Sequence, residues 1–402
     1  MVNIKKKELC LLTSFESLNA SYHQKKNLLE KISEEFEKLY IINQDNLRFF
    51  SKEKNYEFSN EIINRPKNII LFNPKNSSDF ENFHKDKFLV IINNFGKSFY
   101  HFKIHLLLNR RNIVQVQFKN IGNIQMDAHV SKRYVSLTLH YLILDRLFRK
   151  LTTFFSIIGI IKKIEISFIS DSNILNGIKT KKLKKFLYKN KLLHTKEFCL
   201  VNSKYFDELE KIKEISKKYI VHLDYYLNYN HETMLRGEFS EDICKKHHDL
   251  IYKFLNFLKK KLNKEVKICI HPSYPIEYFK KYYKDFEVLK YKTKDMISNA
   301  ELVTFFDSSS IIDAILLNKK IFSLSSKYMG KNERRHSLVY SKKLDIINID
   351  LANFKEEHFE NLYQKSSEFN KKFEDFKKTY HQFDHAETGS SKIIKTIRSK
   401  FF

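Results

Sequence analysis

The fold is decided by residues 264–328, which read KEVKICIHPSYPIEYFKKYYKDFEVLKYKTKDMISNAELVTFFDSSSIIDAILLNKKIFSLSSKY. Short β-rich runs alternate here with helical ones. The first run, Val266–Ile270, ends at His271-Pro272 because proline cannot continue a central ladder. A later run, Leu302–Phe306, leads through Asp307 and three serines into an apolar helix. Strands that alternate with helices predict a parallel sheet.

Two polar features follow strands of this predicted sheet. His271 stands at the end of one strand, and Ser308, Ser309 and Ser310 open the helix after another, which we expect to be the adjacent strand of the sheet. In open parallel sheets, ligands bind at the carboxyl edge, where the strand order reverses. Serine is a preferred N-cap, and the free N–H groups of a helix start favour a phosphate. The sequence therefore predicts an anion site here; the alternative is a structural histidine beside one capping serine.

The chain divides by pattern into two α/β domains with other material between and after them. Residues 1–125 predict an acceptor-side Rossmann-like domain, and residues 218–355 predict a second one that binds the nucleotide. Residues 126–217 are interpreted as a helical, basic connection. Residues 356–402 are interpreted as a basic helical segment that crosses back over the first domain. The first-domain strands are predicted at Leu9–Leu12, Leu39–Ile42, Ile69–Phe72, Phe88–Ile92 and Ile113–Phe118.

The charge of the chain limits its partners. Lys and Arg number 73 against 47 Asp and Glu, so the formal net charge is +26, which favours polyanions such as phosphorylated substrates, anionic membranes or nucleic acid. Most aromatic residues fall inside apolar runs, where packing explains them better than base stacking. We therefore expect no nucleic acid partner.

Cofactor motifs are missing from the sequence. With only 7 glycines, the chain has neither a dinucleotide fingerprint nor a Walker loop. It also has no Asp-x-Asp pair and no paired cysteine spacing. We therefore expect no metal and no bound cofactor, so protein groups must neutralise a phosphate leaving group.

The connecting region contains an apolar, aromatic stretch, 137–161, that ends at Lys162-Lys163. It predicts either a pair of buried interdomain helices or an amphipathic anchor on an anionic membrane surface. No run of 18 uncharged apolar residues occurs, so no transmembrane span is predicted. The expected location is cytoplasmic, with peripheral contact to the inner face of the membrane.

Several blocks of residues resemble a known family. They are Ile220–Leu227, Ile268–Pro272, Thr293–Ile297, Ala300–Val303 and Ser308–Ile321, together with Lys163–Phe168 and Phe198–Asp207. Over residues 155–350 the chain resembles bacterial proteins of capsule and lipopolysaccharide biosynthesis. It is more distantly similar to bacterial sialyl- and polysialyltransferases. The resemblance implies a GT-B-like α/β fold, in which two Rossmann-like domains face a cleft, with a helical insertion between them and a C-terminal helix.

The resemblance also implies an activity. It indicates a metal-independent glycosyltransferase that moves a sugar from a nucleotide-activated donor, such as a CMP-linked acidic sugar, to a surface polysaccharide or lipid-linked glycan. Carried over, His271, Pro272 and Ser308 to Ser310 contact the donor's nucleotide phosphate. After Asp224, family members continue with Pro, an aromatic and His-Pro-Asp, whereas this chain has Asn228 to Glu232, so no role is assigned to that loop.

The general base and the reaction class stay open at the level of sequence. Asp224, Glu16 and Asp127 are candidate bases by position alone, and a solvated or capping carboxylate is the favoured explanation for each. A sugar-nucleotide epimerase or a polyol-phosphate transferase would use the same fold. A nonenzymatic basic protein that binds nucleic acid or membrane is the third alternative.

Overall fold

The computed structural model describes most of the predicted elements. The described residues are 6–13, 28–44, 47, 65–93, 99–119, 147–170 apart from 149, 153, 156 and 157, and then 195–209, 218–224, 240–271, 274–329, 331–367, 370–380 and 387–402. They divide into two compact α/β units, each built on its own parallel sheet.

The first unit is built on seven parallel strands among the described residues, in the order β3-β2-β1-β4-β5-β6-β7. The chain runs outward from β1 to β3 and then restarts on the other side of β1 with β4. This reversal marks a doubly wound sheet. The strands are β1 (Lys6–Thr13), β2 (Leu39–Asn43), β3 (Ile69–Phe72), β4 (Lys87–Asn93), β5 (Ile113–Lys119), β6 (Ile164–Ile169) and β7 (Thr195–Leu200).

Both faces of the first sheet are buried, because successive side chains of a strand point to opposite faces. On β4, Val90 and Ile92 join one apolar core, whereas Leu89 and Ile91 join the other. Helices cover these faces, which explains why the strands read as continuous apolar runs. The helical residues of this unit include 28–35, α1 (Ser77–His84), α2 (Phe99–Leu107) and α3 (Lys204–Leu209).

The second unit repeats the doubly wound plan with six described strands in the order β10-β9-β8-β11-β12-β13. All pairings are parallel. The strands are β8 (Tyr219–Leu223), β9 (Glu265–Cys269), β10 (Glu287–Leu289), β11 (Ala300–Phe305), β12 (Lys320–Ser325) and β13 (Ile347–Asp350). The helices are α4 (Glu241–Leu262), α5 (Ile276–Tyr282), α6 (Thr293–Ser298), α7 (Ile311–Leu316), α8 (Lys331–Leu344), α9 (Phe359–Lys365) and α10 (Lys371–Tyr380), with a 3₁₀ turn at Glu356–His358.

The longest described helix, α4, shows how the sequence sets local structure. Ser240 caps its start by accepting the Ile243 N–H at 3.3 Å. Asn263 ends it in the left-handed region at φ 49°, a conformation that asparagine tolerates. Its buried face carries residues at helical spacing, among them Cys244, Ile251, Leu255 and Leu258. The helix therefore packs one stripe on the sheet and leaves a basic face in solvent.

The C-terminal helix α11 (Gly389–Phe401) belongs to the first unit. The carboxylate of Asp207 accepts the backbone N–H groups of Gly389 and Ser390 at 2.7 Å each, and the Ser390 hydroxyl at 2.6 Å. Asp207 thus satisfies the free donors of the helix start and complements its dipole. Ile393, Ile394 and Ile397 complete the attachment in the core of the first sheet.

The domain boundaries differ from those read off the sequence. Strands β6 and β7 belong to the first sheet, so the first domain continues past residue 125 into the region interpreted as a helical connection. The segment 356–402 is also divided: residues up to Lys378 lie with the second unit, and residues from Thr379 onward lie with the first. Strand β7 was missed because it is an edge strand with exposed polar residues at Lys196 and Glu197, which gives it no continuous apolar run.

Candidate functional site

The candidate site lies at the carboxyl edge of the second sheet, where the strand order reverses between β8 and β11. Three strands end there with polar residues. Asp224 follows β8, His271 lies two residues beyond β9, and Asp307 with Ser308 follows β11. Because all three strands are parallel, these ends share one edge. This edge is where doubly wound sheets bind ligands.

The two predicted phosphate contacts do not lie on neighbouring strands. The sequence reasoning placed His271 and the serine turn at adjacent strand ends, but β8 lies between β9 and β11. Neighbouring strands are about 4.8 Å apart, so the axes of β9 and β11 are separated by about 10 Å. This spacing suits groups that contact different oxygens of one phosphate or diphosphate. Asp224 stands at the end of the strand between them.

Asp224 is buried, with 6% of its surface exposed. Its backbone N–H donates to the Cys269 carbonyl at 3.0 Å, which extends the pairing of β8 and β9 by one residue. Nε2 of His222 lies 3.7 Å from Asp224 Oδ1, and Nδ1 of His248 lies 3.9 Å from Oδ2. Both distances exceed those of N–H···O hydrogen bonds, so these contacts are electrostatic.

The pKa of Asp224 depends on its burial and on the polar groups around it. Burial alone would raise the pKa, but the polar groups of His222, His248 and Tyr283 outweigh burial and lower it to about 2. A buried carboxylate that holds its negative charge so strongly is a poor proton acceptor. The structure therefore does not favour Asp224 as the general base, the role that the sequence interpretation gave it. The carboxylate instead anchors a buried polar network.

The network extends from Asp224 through two helices. The Tyr283 hydroxyl is one of the groups that lower the pKa of Asp224, and its oxygen lies 2.8 Å from Nδ1 of His248. The Tyr278 hydroxyl lies 3.4 Å from Nε2 of the same ring. Burial lowers the pKa of His248, in agreement with a neutral ring. The network links β8 to α4 and α5.

His247 lies beside this network, and neither of its ring nitrogens has a hydrogen-bond partner among the described residues. Its ring is fully buried and packs 5.0 Å from the ring of Phe306 and 5.5 Å from that of His248. Burial lowers its pKa to about 3. A neutral imidazole without partners costs stability, and protonating it in this apolar surrounding would cost more.

His271 presents the exposed imidazole of the site. Its backbone carbonyl accepts the Tyr274 N–H at 3.0 Å. The two rings lie 5.2 Å apart at an interplanar angle of 48°. The side chain is therefore held near the sheet edge yet open to solvent, as a ligand-binding imidazole requires.

The serine turn is built differently from a simple N-cap. The Ser308 hydroxyl accepts the Ser310 N–H at 3.3 Å, and the Ser308 carbonyl accepts the Ile311 N–H at 3.2 Å. Ser310 holds the N-cap position but has helical backbone angles and makes no capping bond through its side chain. Ser309 is exposed, and its neighbours are half-buried. The turn therefore stabilises itself through Ser308.

Helix α7 fixes the serine turn in place. All six of its residues are buried, from Ile311 to Leu316, so the helix sits within the apolar interior and its start cannot shift freely. Hydroxyl groups at such a turn can donate to phosphate oxygens, as can the imidazole of His271. This edge of the sheet therefore carries protein donors that can contact an anionic leaving group.

Some sequence-predicted site residues lie outside the described residues. These are Pro272, Glu16 and Asp127, together with the loop that follows Asp224. Within the described parts of the chain, no group of three or more metal-ligating side chains has the arrangement of a metal site.

Sequence reasoning missed the residues that surround Asp224. His247 and His248 occur as a pair on the apolar stripe of α4, at helical spacing from Cys244 and Ile251. A histidine pair inside an apolar stripe indicates a buried polar network, and this signal was present in the sequence. Tyr283 gave no comparable signal because it stands among other tyrosines and lysines.

Comparisons with known proteins agree with the fold. No protein-family model matches the sequence, and no curated protein is similar to it in sequence. A histidine variant of the wall teichoic acid polymerase TagF aligns with a TM-score of 0.58 and 13% identity, over 99% of this chain and 89% of that one. Another TagF structure, from a 15-minute soak with CDPG, aligns with a TM-score of 0.52 and 12% identity, over 99% and 89%.

A candidate UDP-N-acetylglucosamine 2-epimerase from Listeria monocytogenes aligns with a TM-score of 0.50 and 9% identity, over 98% of this chain and 96% of that one. Identities this low show a shared fold. The predicted GT-B class, with two parallel-sheet α/β domains, is confirmed.

Proposed function

We propose that this chain is a GT-B transferase that moves a unit from a nucleotide-activated donor to a bacterial surface glycan. The observation that carries the proposal is the edge of the second sheet, where an exposed imidazole and a serine turn follow the strands on either side of β8. That edge is a nucleotide-binding position in doubly wound sheets. The shared fold with TagF, a polymerase of a surface polymer, supports the class of acceptor.

The chemistry assigned to the site is stabilisation of the leaving nucleotide. When the bond between the donor unit and the nucleotide phosphate breaks, negative charge grows on the phosphate oxygens. His271 and the hydroxyls of Ser308 and Ser309 donate hydrogen bonds to those oxygens. Asp224 does not contact the nucleotide-activated substrate. It holds the end of β8 in register between His271 and the serine turn.

We propose a cytidine nucleotide as the leaving group. The fold shared with TagF, which was soaked with CDPG, favours it. The distant resemblance of the sequence to sialyl- and polysialyltransferases implies a cytidine nucleotide as well. The transferred unit is accordingly an acidic sugar or a polyol phosphate. Both leave a cytidine phosphate behind, so the same imidazole and hydroxyl donors serve either unit.

A second candidate function is sugar-nucleotide epimerisation, which the shared fold with the Listeria protein favours. The two functions differ in what they need. An epimerase converts its sugar nucleotide without an acceptor, whereas a transferase needs an acceptor hydroxyl.

The test is to incubate the protein with CMP-, CDP- and UDP-linked donors, each with and without lipid-linked glycan from a bacterial membrane, and to follow products by NMR. We expect release of a cytidine nucleotide that depends on the acceptor and is lost in His271→Ala. His358→Ala, which alters an exposed histidine of the same domain, should retain activity. Epimerisation of the donor sugar in the reaction without acceptor would assign the epimerase function instead.

A further inference from the structure

Exposed apolar side chains concentrate in one part of the first domain. Among the residues that the structure describes, seven large hydrophobic side chains are more than 40% exposed, and five of them lie within this one region. They are Leu106, Leu147, Phe154, Ile158 and Ile160, which are 41% to 53% exposed. We call these five residues the apolar patch. Concentrated exposure of this kind marks an interaction surface.

Contacts hold the parts of the apolar patch together. Phe102 on α2 packs against Phe148 and Phe155, with ring centroids 5.3 and 5.9 Å apart. Asn109 donates its side-chain N–H to the Ile160 carbonyl. Lys162 donates to the carbonyls of Arg110 at 3.3 Å and Ile113 at 2.5 Å. The segment 147–162 therefore lies against α2 and the loop after it, which carry Leu106.

The segment separates an inward face from an outward one. Residues 147, 148, 150–152, 154 and 155 are helical. At 100° per residue, Leu147 and Phe154 fall within about 20° of each other. Phe148 and Phe155 lie about 100° around the helix, where they meet Phe102. The outward face is thus apolar by construction, although a solvent-facing helix surface is ordinarily polar.

Basic side chains border the apolar patch. Arg111, Lys150 and Lys163 are exposed beside it. Arg110 is also exposed, but it is paired with Glu81 at 2.6 Å. An apolar face bordered by lysine and arginine suits the boundary between acyl chains and anionic headgroups.

We propose that the apolar patch and its three basic neighbours dock the first domain on an anionic membrane surface. The apolar side chains enter the headgroup boundary, and Arg111, Lys150 and Lys163 contact anionic lipid headgroups. No helix of the described chain is both long and apolar enough to cross a membrane. The proposal is independent of the transferase assignment, since it uses residues of the first unit only.

A second copy of this chain is the less suitable occupant. Two copies joined through their patches would bring the same three basic residues toward one another, in a chain whose net charge is already +26. Like charges at an interface oppose association. An anionic lipid surface removes this repulsion and adds attraction.

The test is flotation of the full chain with phosphatidylcholine vesicles, with and without 30% phosphatidylglycerol, by the wild type and two double variants. Phe154→Ser with Ile158→Ser removes apolar contacts, and Lys150→Glu with Lys163→Glu reverses charge. We expect the wild type to float with the phosphatidylglycerol vesicles only. Each double variant should bind at least about tenfold more weakly.

Matched controls come from the second domain. Tyr291→Asn alters an exposed aromatic residue at φ 60°, which asparagine tolerates. Lys253→Glu with Lys260→Glu alters exposed lysines of α4. Both should float like the wild type, and circular dichroism should show every variant folded. The proposal would be overturned if the patch variants floated as well as the wild type, or if the wild type bound neutral and anionic vesicles equally. It would also be overturned if the wild type were a dimer that the double variant Phe154→Ser with Ile158→Ser converts to monomers.

Discussion

Nδ1 of His222 on β8 lies 2.9 Å from the hydroxyl oxygen of Thr304 on β11, and the two residues are register partners. The contact joins the two strands at the reversal of the sheet, directly beneath the candidate site. Both side chains are fully buried. The edge that carries the site is thus held by a polar network that starts at Thr304, passes through His222 and Asp224, and reaches α4 and α5 through His248 and Tyr283.

Removing the carboxylate of Asp224 should destabilise the second domain. In Asp224→Ala, the buried carboxylate that lies beside His222, His248 and Tyr283 is replaced by a methyl group. Leaving buried polar groups without a partner costs about 1 to 3 kcal/mol for each group. Denaturant unfolding at pH 7 measures the loss. The control, Asp249→Ala, alters an exposed carboxylate on α4 and should cost less than about 0.5 kcal/mol.

Acid should destabilise the protein through His247. Its folded pKa, about 3, is below the unfolded value of 6.5, so between these values the unfolded chain binds a proton that the folded chain does not. Stability is therefore lost as the pH falls below 6.5, by about 2 kcal/mol between pH 7 and pH 5 from this residue alone.

The histidine variant His247→Leu tests this pH dependence. In this variant, the decrease in the free energy of unfolding between pH 7 and pH 5 should be smaller by about 2 kcal/mol. His358→Leu, at an exposed site, should leave that decrease unchanged. Denaturant unfolding at both pH values gives the comparison. Equal acid sensitivity in His247→Leu and the wild type would show that His247 is protonated in the folded state.

Gly389 should be irreplaceable at the start of α11. A Cβ atom there would overlap the backbone carbonyl oxygen of Asn202 and stand 2.9 Å from its carbonyl carbon. Gly389→Ala should therefore displace the helix and cost about 2 kcal/mol or more. The control, Ser399→Ala, lies on the exposed side of the same helix. Limited proteolysis should cleave Gly389→Ala near its C-terminus first, and wild-type resistance of this variant would contradict the assigned contact.

The strands show how far the sequence could predict the fold. Runs such as Tyr219–Leu223 are apolar and bounded by polar residues, and the structure places β8 at those residues. In contrast, β7 and β13 are edge strands with partly exposed residues, so they give no continuous apolar run. Strands with a continuous apolar run are readable even at an edge, as β3 (Ile69–Phe72) shows, whereas edge strands without such a run are not.

The candidate site was readable only in part, for a related reason. His271 and the serine turn stand out because polar residues follow apolar strands. The strand order is set by tertiary pairing, so the sequence could not show that β8 separates β9 from β11. Nor could it show that Asp224 is buried, since a carboxylate after a strand is ordinarily solvated. Its burial depends on Tyr283 and His248, which are distant in sequence.

The central claim is that His271 and the serine turn bind one cytidine phosphate, and calorimetric titration with CMP, CDP and UDP tests it most directly. We expect the wild type to bind a cytidine nucleotide, and His271→Ala and the double variant Ser308→Ala with Ser309→Ala to bind it at least about tenfold more weakly. His358→Ala should bind like the wild type. Equal affinity in the wild type and in His271→Ala, or no binding of any nucleotide, would contradict the claim.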